Sequence, residues 1–100
     1  MRYNSVLDLH THTVASGHAY CSLREMAKAA SEKGLEVLGI TEHAPSMPGT
    51  CHKFYFNNLK VVPREMYGIQ LLLGSEVNIL DAQGTVDLGQ HTLSSMDVVI

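Results

Sequence analysis

Three short apolar runs in this chain end in a histidine or a glutamate, and that repetition constrains its fold more than any other feature. Residues 5–12 read as a buried strand that turns polar at its C-terminal end. The period of two along a pleat puts Asp8, His10 and His12 of Asp8-Leu9-His10-Thr11-His12 on one face. Residues 35–40 form a second apolar strand, closed by Thr41-Glu42-His43, and residues 69–73 a third, running into Gly74-Ser75-Glu76. Between the first two lie a loop, residues 13–21, and a helix that opens on a capping box. Ser22 at the N-cap and Glu25 three residues on can satisfy each other's orphan backbone donors. Leu23, Met26, Ala27 and Ala30 supply an apolar stripe at helical spacing, and Gly34 follows as the residue past the C-cap. A strand, a crossover helix and a second strand within about 35 residues is the size of a parallel β-α-β unit.

Further along, residues 44–51 contain Pro45, Pro48 and Gly49 and read as a loop. Residues 54–67 are expected to be helical up to Val62, with Pro63 interrupting or restarting the helix. Short apolar runs around Asp81-Ala82-Gln83-Gly84 predict a β-hairpin over residues 77–88, and residues 96–100 open a fourth strand. Polar residues at successive strand C-termini belong to a parallel α/β sheet or barrel, where sites collect at that edge. A closed β/α barrel commonly has ~8 strands and ~250 residues. About four strands are counted here, so residues 1–100 are expected to be the N-terminal portion of a single, truncated barrel domain.

With 45% hydrophobic and 17% charged residues the chain is globular rather than disordered, although at 100 residues it buries a smaller share of its surface than a larger domain would. A net charge of −3 with no Lys/Arg cluster gives no footprint for nucleic-acid phosphates or an anionic membrane. Small-molecule or metal chemistry fits better, since bound cations can attract an anionic substrate without extra Lys or Arg. Cys21 and Cys51 are too far apart to read as a close-spaced ligand pair. With no leader-like or long apolar segment they read as reduced thiols, and the expected location is the cytoplasm.

His10 and His12, two residues apart on one strand face, can both reach one cation at the ~2.0–2.1 Å of a zinc–nitrogen bond. Alone, such a pair is as readily two hydrogen-bonding histidines. His18 alone reads as a surface loop histidine and His43 as a satisfied structural one. Glu76, set between apolar residues, needs a partner, either a metal or an arginine. The joint occurrence of all five, in order and at strand ends, favours a metal site. Weaker candidates are His52, Lys53 and Arg64, which can approach an anion or face water, and His91, placed on the surface before the fourth strand. Tyr20, Phe54, Tyr55 and Phe56 are assigned to packing, and nothing marks Cys51 as an activated nucleophile.

Asp8-Leu9-His10-Thr11-His12, then His18, then Ile40-Thr41-Glu42-His43, then Gly74-Ser75-Glu76-Val77-Asn78 resembles the opening half of the PHP (polymerase and histidinol phosphatase) superfamily, with the YcdX-like bacterial phosphatases as the nearest pattern. The resemblance covers essentially the whole chain, including Val14-Ala15-Ser16 and His18-Ala19-Tyr20. It implies a distorted (β/α)7 TIM-like barrel with up to three zinc, manganese or iron ions. By that resemblance His10 and His12 bind one metal, Glu76 bridges it to a second, and His18 and His43 bind a third. Asp8 is not a ligand. It can accept a hydrogen bond that orients an imidazole, or be an ordinary strand-end aspartate. Glu42 stands where the family usually has aspartate, which puts a tight hydrogen bond at that position in question. The family's remaining ligands are expected beyond residue 100.

The leading expectation is phosphomonoester hydrolysis by a multinuclear metal site acting on a small phosphorylated substrate, with no side-chain nucleophile. The alternatives are an amidohydrolase-type metal hydrolase, which would add a metal-bridging modified lysine, and a non-catalytic metal-binding fragment. An open sheet edge further predicts a homo-oligomer or a missing C-terminal half as partner.

Overall fold

The computed structural model describes residues 2–100. In chain order it contains β1 (Leu7–Thr11), α1 (Leu23–Glu32), β2 (Val37–His43), α2 (Lys53–Asn57), β3 (Glu65–Met66), β4 (Ile69–Glu76), α3 (Gln90–Ser94) and β5 (Val98–Val99). Single 3₁₀ turns lie at Val14–Ser16 and Leu59–Val61. Among the described residues no helix is long and apolar enough to cross a membrane.

β1, β2, β4 and β5 pair in that order, each parallel to the one before. Successive parallel strands are therefore neighbours, with none of the order reversal that marks a doubly wound sheet. This is the winding of a β/α barrel, with the expected four parallel strands. β2 meets β4 along its whole length, from Val37 opposite Gln70 to His43 opposite Glu76. The remaining edge of β4 is divided between antiparallel β3, at Ile69 and Gln70, and parallel β5, at Gly74 and Ser75.

The core follows from alternation along the two central strands. Leu38 and Ile40 of β2 stand in register with Leu71 and Leu73 of β4, and all four are buried. Ala27 and Ala30 of α1, together with Phe56 and Leu59, complete the cluster. The helix is held at its start by the expected capping box: Glu25 N–H donates to Ser22 Oγ at 3.2 Å, and Ser22 N–H to Glu25 Oε1 at 2.9 Å. Gly34, just beyond the C-cap Lys33, takes φ 84°.

Two expectations are corrected, and two elements are added. The helix expected up to Val62 breaks at Asn58, whose N–H is shared between the carbonyls of Phe54 and Tyr55, and the chain tightens into a 3₁₀ turn before Pro63. Beyond it, Glu65–Met66 folds back on Ile69 and Gln70 through a two-residue turn. Tyr67 and Gly68 both have positive φ there, 53° and 79°, the signature of a type I′ turn. The hairpin expected over residues 77–88 shrinks to one antiparallel bridge, Ile79 with Val86. Side chains replace the missing ladder: Asp81 accepts the N–H groups of Gln83 and Thr85, and Asp87 that of Asn78. α3 was not anticipated at all, and no hydrogen bond from a side chain caps its start at Gly89.

Candidate metal centre

The register of the central pair creates the site. His43, the last residue of β2, lies directly opposite Glu76, the last of β4. Parallel partners share a face of the sheet, so both side chains emerge at the same C-terminal edge. β1 delivers His10, and His12 follows directly after its end. Asp8 aligns with Leu38 but Thr11 with Ile40, so β1 carries one extra residue in between, a bulge. The bulge breaks the strict alternation expected over Asp8, His10 and His12. Both imidazoles nevertheless reach Glu76, whereas the Asp8 carboxylate turns back to accept the backbone N–H of His10 at 3.1 Å.

One carboxylate oxygen collects the imidazoles. Glu76 Oε2 lies 3.2 Å from His10 Nε2, 3.1 Å from His12 Nε2 and 3.1 Å from His43 Nδ1. It is nonetheless a buried oxygen with no hydrogen-bond partner, since none of these rings directs an N–H along the line of approach. Acceptor atoms crowded in this way repel one another unless a cation lies among them. For tetrahedral zinc with bonds of ~2.0–2.1 Å, neighbouring ligand atoms sit about 3.3 Å apart. The observed spacings from Glu76 to His10 and His12 fall close to that value, and the ligand atoms of His10, His12 and Glu76 all lie within 4.8 Å of one another. The residues fit a divalent cation.

The rings also pack on each other. His12 stacks on His43 with centroids 4.3 Å apart, and His10 meets His12 edge to face at 5.3 Å. His18, exposed in the first loop, approaches the edge of the cluster through His43, at 5.2 Å. Burial first, and then the neighbouring His43, lower the pKa of His12 below its ordinary 6.5, against an opposing pull from Glu76 and Glu42. The neutral imidazole favoured in this way is the form that binds metal.

Beneath the rings lies a polar network that the sequence did not reveal. Glu42 is completely buried. Its Oε1 accepts the Thr13 backbone N–H and the Ser16 hydroxyl, both at 2.8 Å, while its Oε2 accepts the Thr13 hydroxyl and, at 3.4 Å, that of Tyr55. Far from losing its hydrogen bonds through the extra methylene, Glu42 organises the first loop. Ser16 Oγ in turn lies 3.2 Å from His12 Nδ1 and accepts the His43 backbone N–H at 2.9 Å. Tyr55 is thus half packing and half polar, and burial followed by the charge of Glu42 raises its pKa above the ordinary 10, keeping the hydroxyl a donor. Nothing local in the sequence marks Thr13 or Ser16. Their partner lies 26 to 29 residues away.

Gly17 fixes this loop. It takes φ 72°, and a Cβ added there would stand 2.1 Å from the Gly49 carbonyl oxygen, so only glycine fits between Ser16 and His18.

The weaker candidates have structural duties. His52 Nδ1 caps α2 by accepting the Phe54 N–H. Arg64 binds the carboxylate of Asp97 at 2.7 Å and donates to the carbonyls of Leu59 and Val62. His91 is exposed, in the last turn of α3. Of the aromatic residues assigned to packing, Phe56 is in the core, but Tyr20 and Phe54 are exposed. Burial raises the Cys51 pKa, which disfavours a thiolate nucleophile.

Known proteins are similar to this chain in sequence. A probable phosphatase of Clostridium novyi (strain NT) is 56% identical over the whole chain, one of Clostridium botulinum (strain Hall) is 51% identical over the whole chain, and one of Thermoanaerobacter sp. (strain X514) is 50% identical over 95% of it. The chain spans about 40% of the length of these relatives. The family model of the PHP domain matches residues 8–97, and with nine-tenths of its length so matched the chain belongs to the PHP domain family.

Proposed function

We propose that His10, His12, His43 and Glu76 hold divalent metal, with His18 at the margin of the same centre, and that the protein hydrolyses small phosphomonoesters. The observation that carries this reading is Glu76 Oε2, a buried, acceptor-only oxygen faced by three imidazole nitrogens at 3.1–3.2 Å and bonded to none of them. A bound divalent cation supplies positive charge toward phosphoryl oxygens and lowers the pKa of water. The chain's own residues do the preparatory work. His12 is held neutral by burial, Glu76 supplies negative charge at the focus of the rings, and Glu42 fixes the loop that carries Ser16 and His18.

The names of the relatives, probable phosphatases, support the phosphoester class. Further ligands are proposed to come from outside these hundred residues. Within these hundred residues Lys28, Lys33, Lys53 and Lys60 all lie in or beside helical segments and none is at a strand end, where the amidohydrolase alternative would place its bridging lysine. The test is hydrolysis of p-nitrophenyl phosphate by the full-length protein with Mn²⁺ or Zn²⁺ added, alongside measured metal content. Bound metal without turnover of any small phosphomonoester would leave a binding role. No bound metal would overturn the reading.

A further inference from the structure

The usefulness of His12 as a ligand depends on which ring nitrogen carries its proton, and the hydrogen bonds around Ser16 decide that. Ser16 Oγ is fully buried and has three polar partners: the His43 backbone N–H at 2.9 Å, Glu42 Oε1 at 2.8 Å and His12 Nδ1 at 3.2 Å. A hydroxyl offers one hydrogen and two acceptor positions. The amide of His43 can only donate, so it takes one acceptor position. The carboxylate of Glu42 can only accept, so it takes the hydrogen. One acceptor position remains, and the third partner, His12 Nδ1, must fill it as a donor.

We infer that Ser16 is a positioning residue that holds His12 as the Nδ1–H tautomer, so that the bare Nε2 faces Glu76 Oε2 at 3.1 Å. Which nitrogen of an imidazole is free is set by the bond the other makes, and here Ser16 makes that bond. Glu42 itself lies 3.8 Å from His12 Nδ1, too far for a hydrogen bond, so its influence passes through the hydroxyl. Glu42 cannot readily change its part. Its Oε1 also receives the Thr13 backbone N–H, which can only donate, so that oxygen must stay an acceptor. The purpose of the arrangement rests on the metal reading above. The tautomer follows from the proton count alone.

The test is long-range ¹H–¹⁵N correlation on ¹⁵N-histidine-labelled protein, stripped of metal by chelation, at a mildly alkaline pH where imidazoles are neutral. His12 is expected as Nδ1–H, the reverse of the preference of an unconstrained imidazole in water. Ser16→Ala should shift it toward Nε2–H, while Ser16→Thr, which retains the hydroxyl, should restore Nδ1–H. Glu42→Gln should also retain it, because the amide oxygen must remain on the Thr13 N–H and therefore still accepts from Ser16. Zinc affinity should fall about 10–100-fold in Ser16→Ala, as it does when a ligand's outer partner is lost.

Nε2–H in the wild-type protein, or an Nδ1–H population untouched by Ser16→Ala, overturns the inference. Should Ser16→Ala not fold, the wild-type and Glu42→Gln spectra decide the matter. A zinc titration separates the two readings. If Nδ1–H is found but zinc perturbs none of these histidines, the tautomer stands and the metal centre falls. If zinc binds and His12 was Nε2–H beforehand, the metal centre stands and the role of Ser16 falls.

Discussion

Glu42 and Thr13, from two different strand-end segments, are joined twice: the Thr13 backbone N–H donates to Oε1 at 2.8 Å, and the Thr13 hydroxyl donates to Oε2. A carboxylate with no exposed surface is tolerated only because such donors surround it. Glu42→Ala is expected to destabilise the protein by about 3–5 kcal/mol, because it leaves a cavity and several buried donors without an acceptor. Glu42→Gln, which keeps one of the two acceptor oxygens, should cost about 1–2 kcal/mol. Urea unfolding of the two variants side by side checks both values.

The site should be sensitive to Gly17. Left-handed backbone alone costs about 1–2 kcal/mol for a residue with a Cβ. At Gly17 the added carbon also meets the Gly49 carbonyl, whereas at Gly34, φ 84°, it meets nothing within 4 Å. Gly17→Ala should therefore lower thermal stability more than Gly34→Ala, and only the former should weaken metal binding. Equal losses in melting temperature would contradict the steric argument.

Asp87 links the segment after β2 to the segment after β4. Burial alone would raise its pKa, but the Asn78 backbone and side-chain amides, with the Ser46 hydroxyl and N–H, hold it at about 2, below the ordinary 3.8. The folded state thus binds this proton less readily than the unfolded state does. The contribution is complete above about pH 4 and is lost as pH falls through the window from 3.8 toward 2. Acid titration of stability should show a shallower decline in Asp87→Asn over that window.

Glu76→Gln removes the charge at the point where the three imidazoles converge. Zinc binding measured by calorimetry should weaken by more than the roughly 10–100-fold that follows loss of an outer partner. The chelated protein should be no less stable than wild type, because an unbonded buried carboxylate oxygen is itself a cost. A large loss of stability in the chelated variant would show that the carboxylate is there to hold the fold.

Local signals in the sequence were strong where physics is local. The capping box of Ser22 and Glu25, the Ala27 and Ala30 stripe and the glycine past the helix could all be read directly. So could the strand ends that bring His10, His12, His43 and Glu76 together, because an apolar run that turns polar marks both a strand and its open end. What escaped depends on distant partners or on rare conformations. Tyr67 enters a left-handed turn that its residue type does not advertise, and the Ser31 hydroxyl donates to its carbonyl at 2.8 Å. Ser16 looks like any loop serine until Glu42 arrives from 26 residues away. The bulge in β1 is equally silent in the pattern of alternation, since one extra residue changes no residue's polarity.

That bulged strand has a mechanical consequence. Among the described residues β1 pairs with β2 alone, and its Leu7 is half exposed, while β2 and β4 hold the buried leucines and isoleucine. His10 therefore rides on a strand paired through one irregular ladder, with His12 directly after it, while His43 and Glu76 end the central pair. A strand held by one irregular ladder opens at lower free energy than the core it flanks. An ion held by these four groups would thus rivet the end of β1 to the central pair, adding a tie between segments that the backbone ladder joins along one side only.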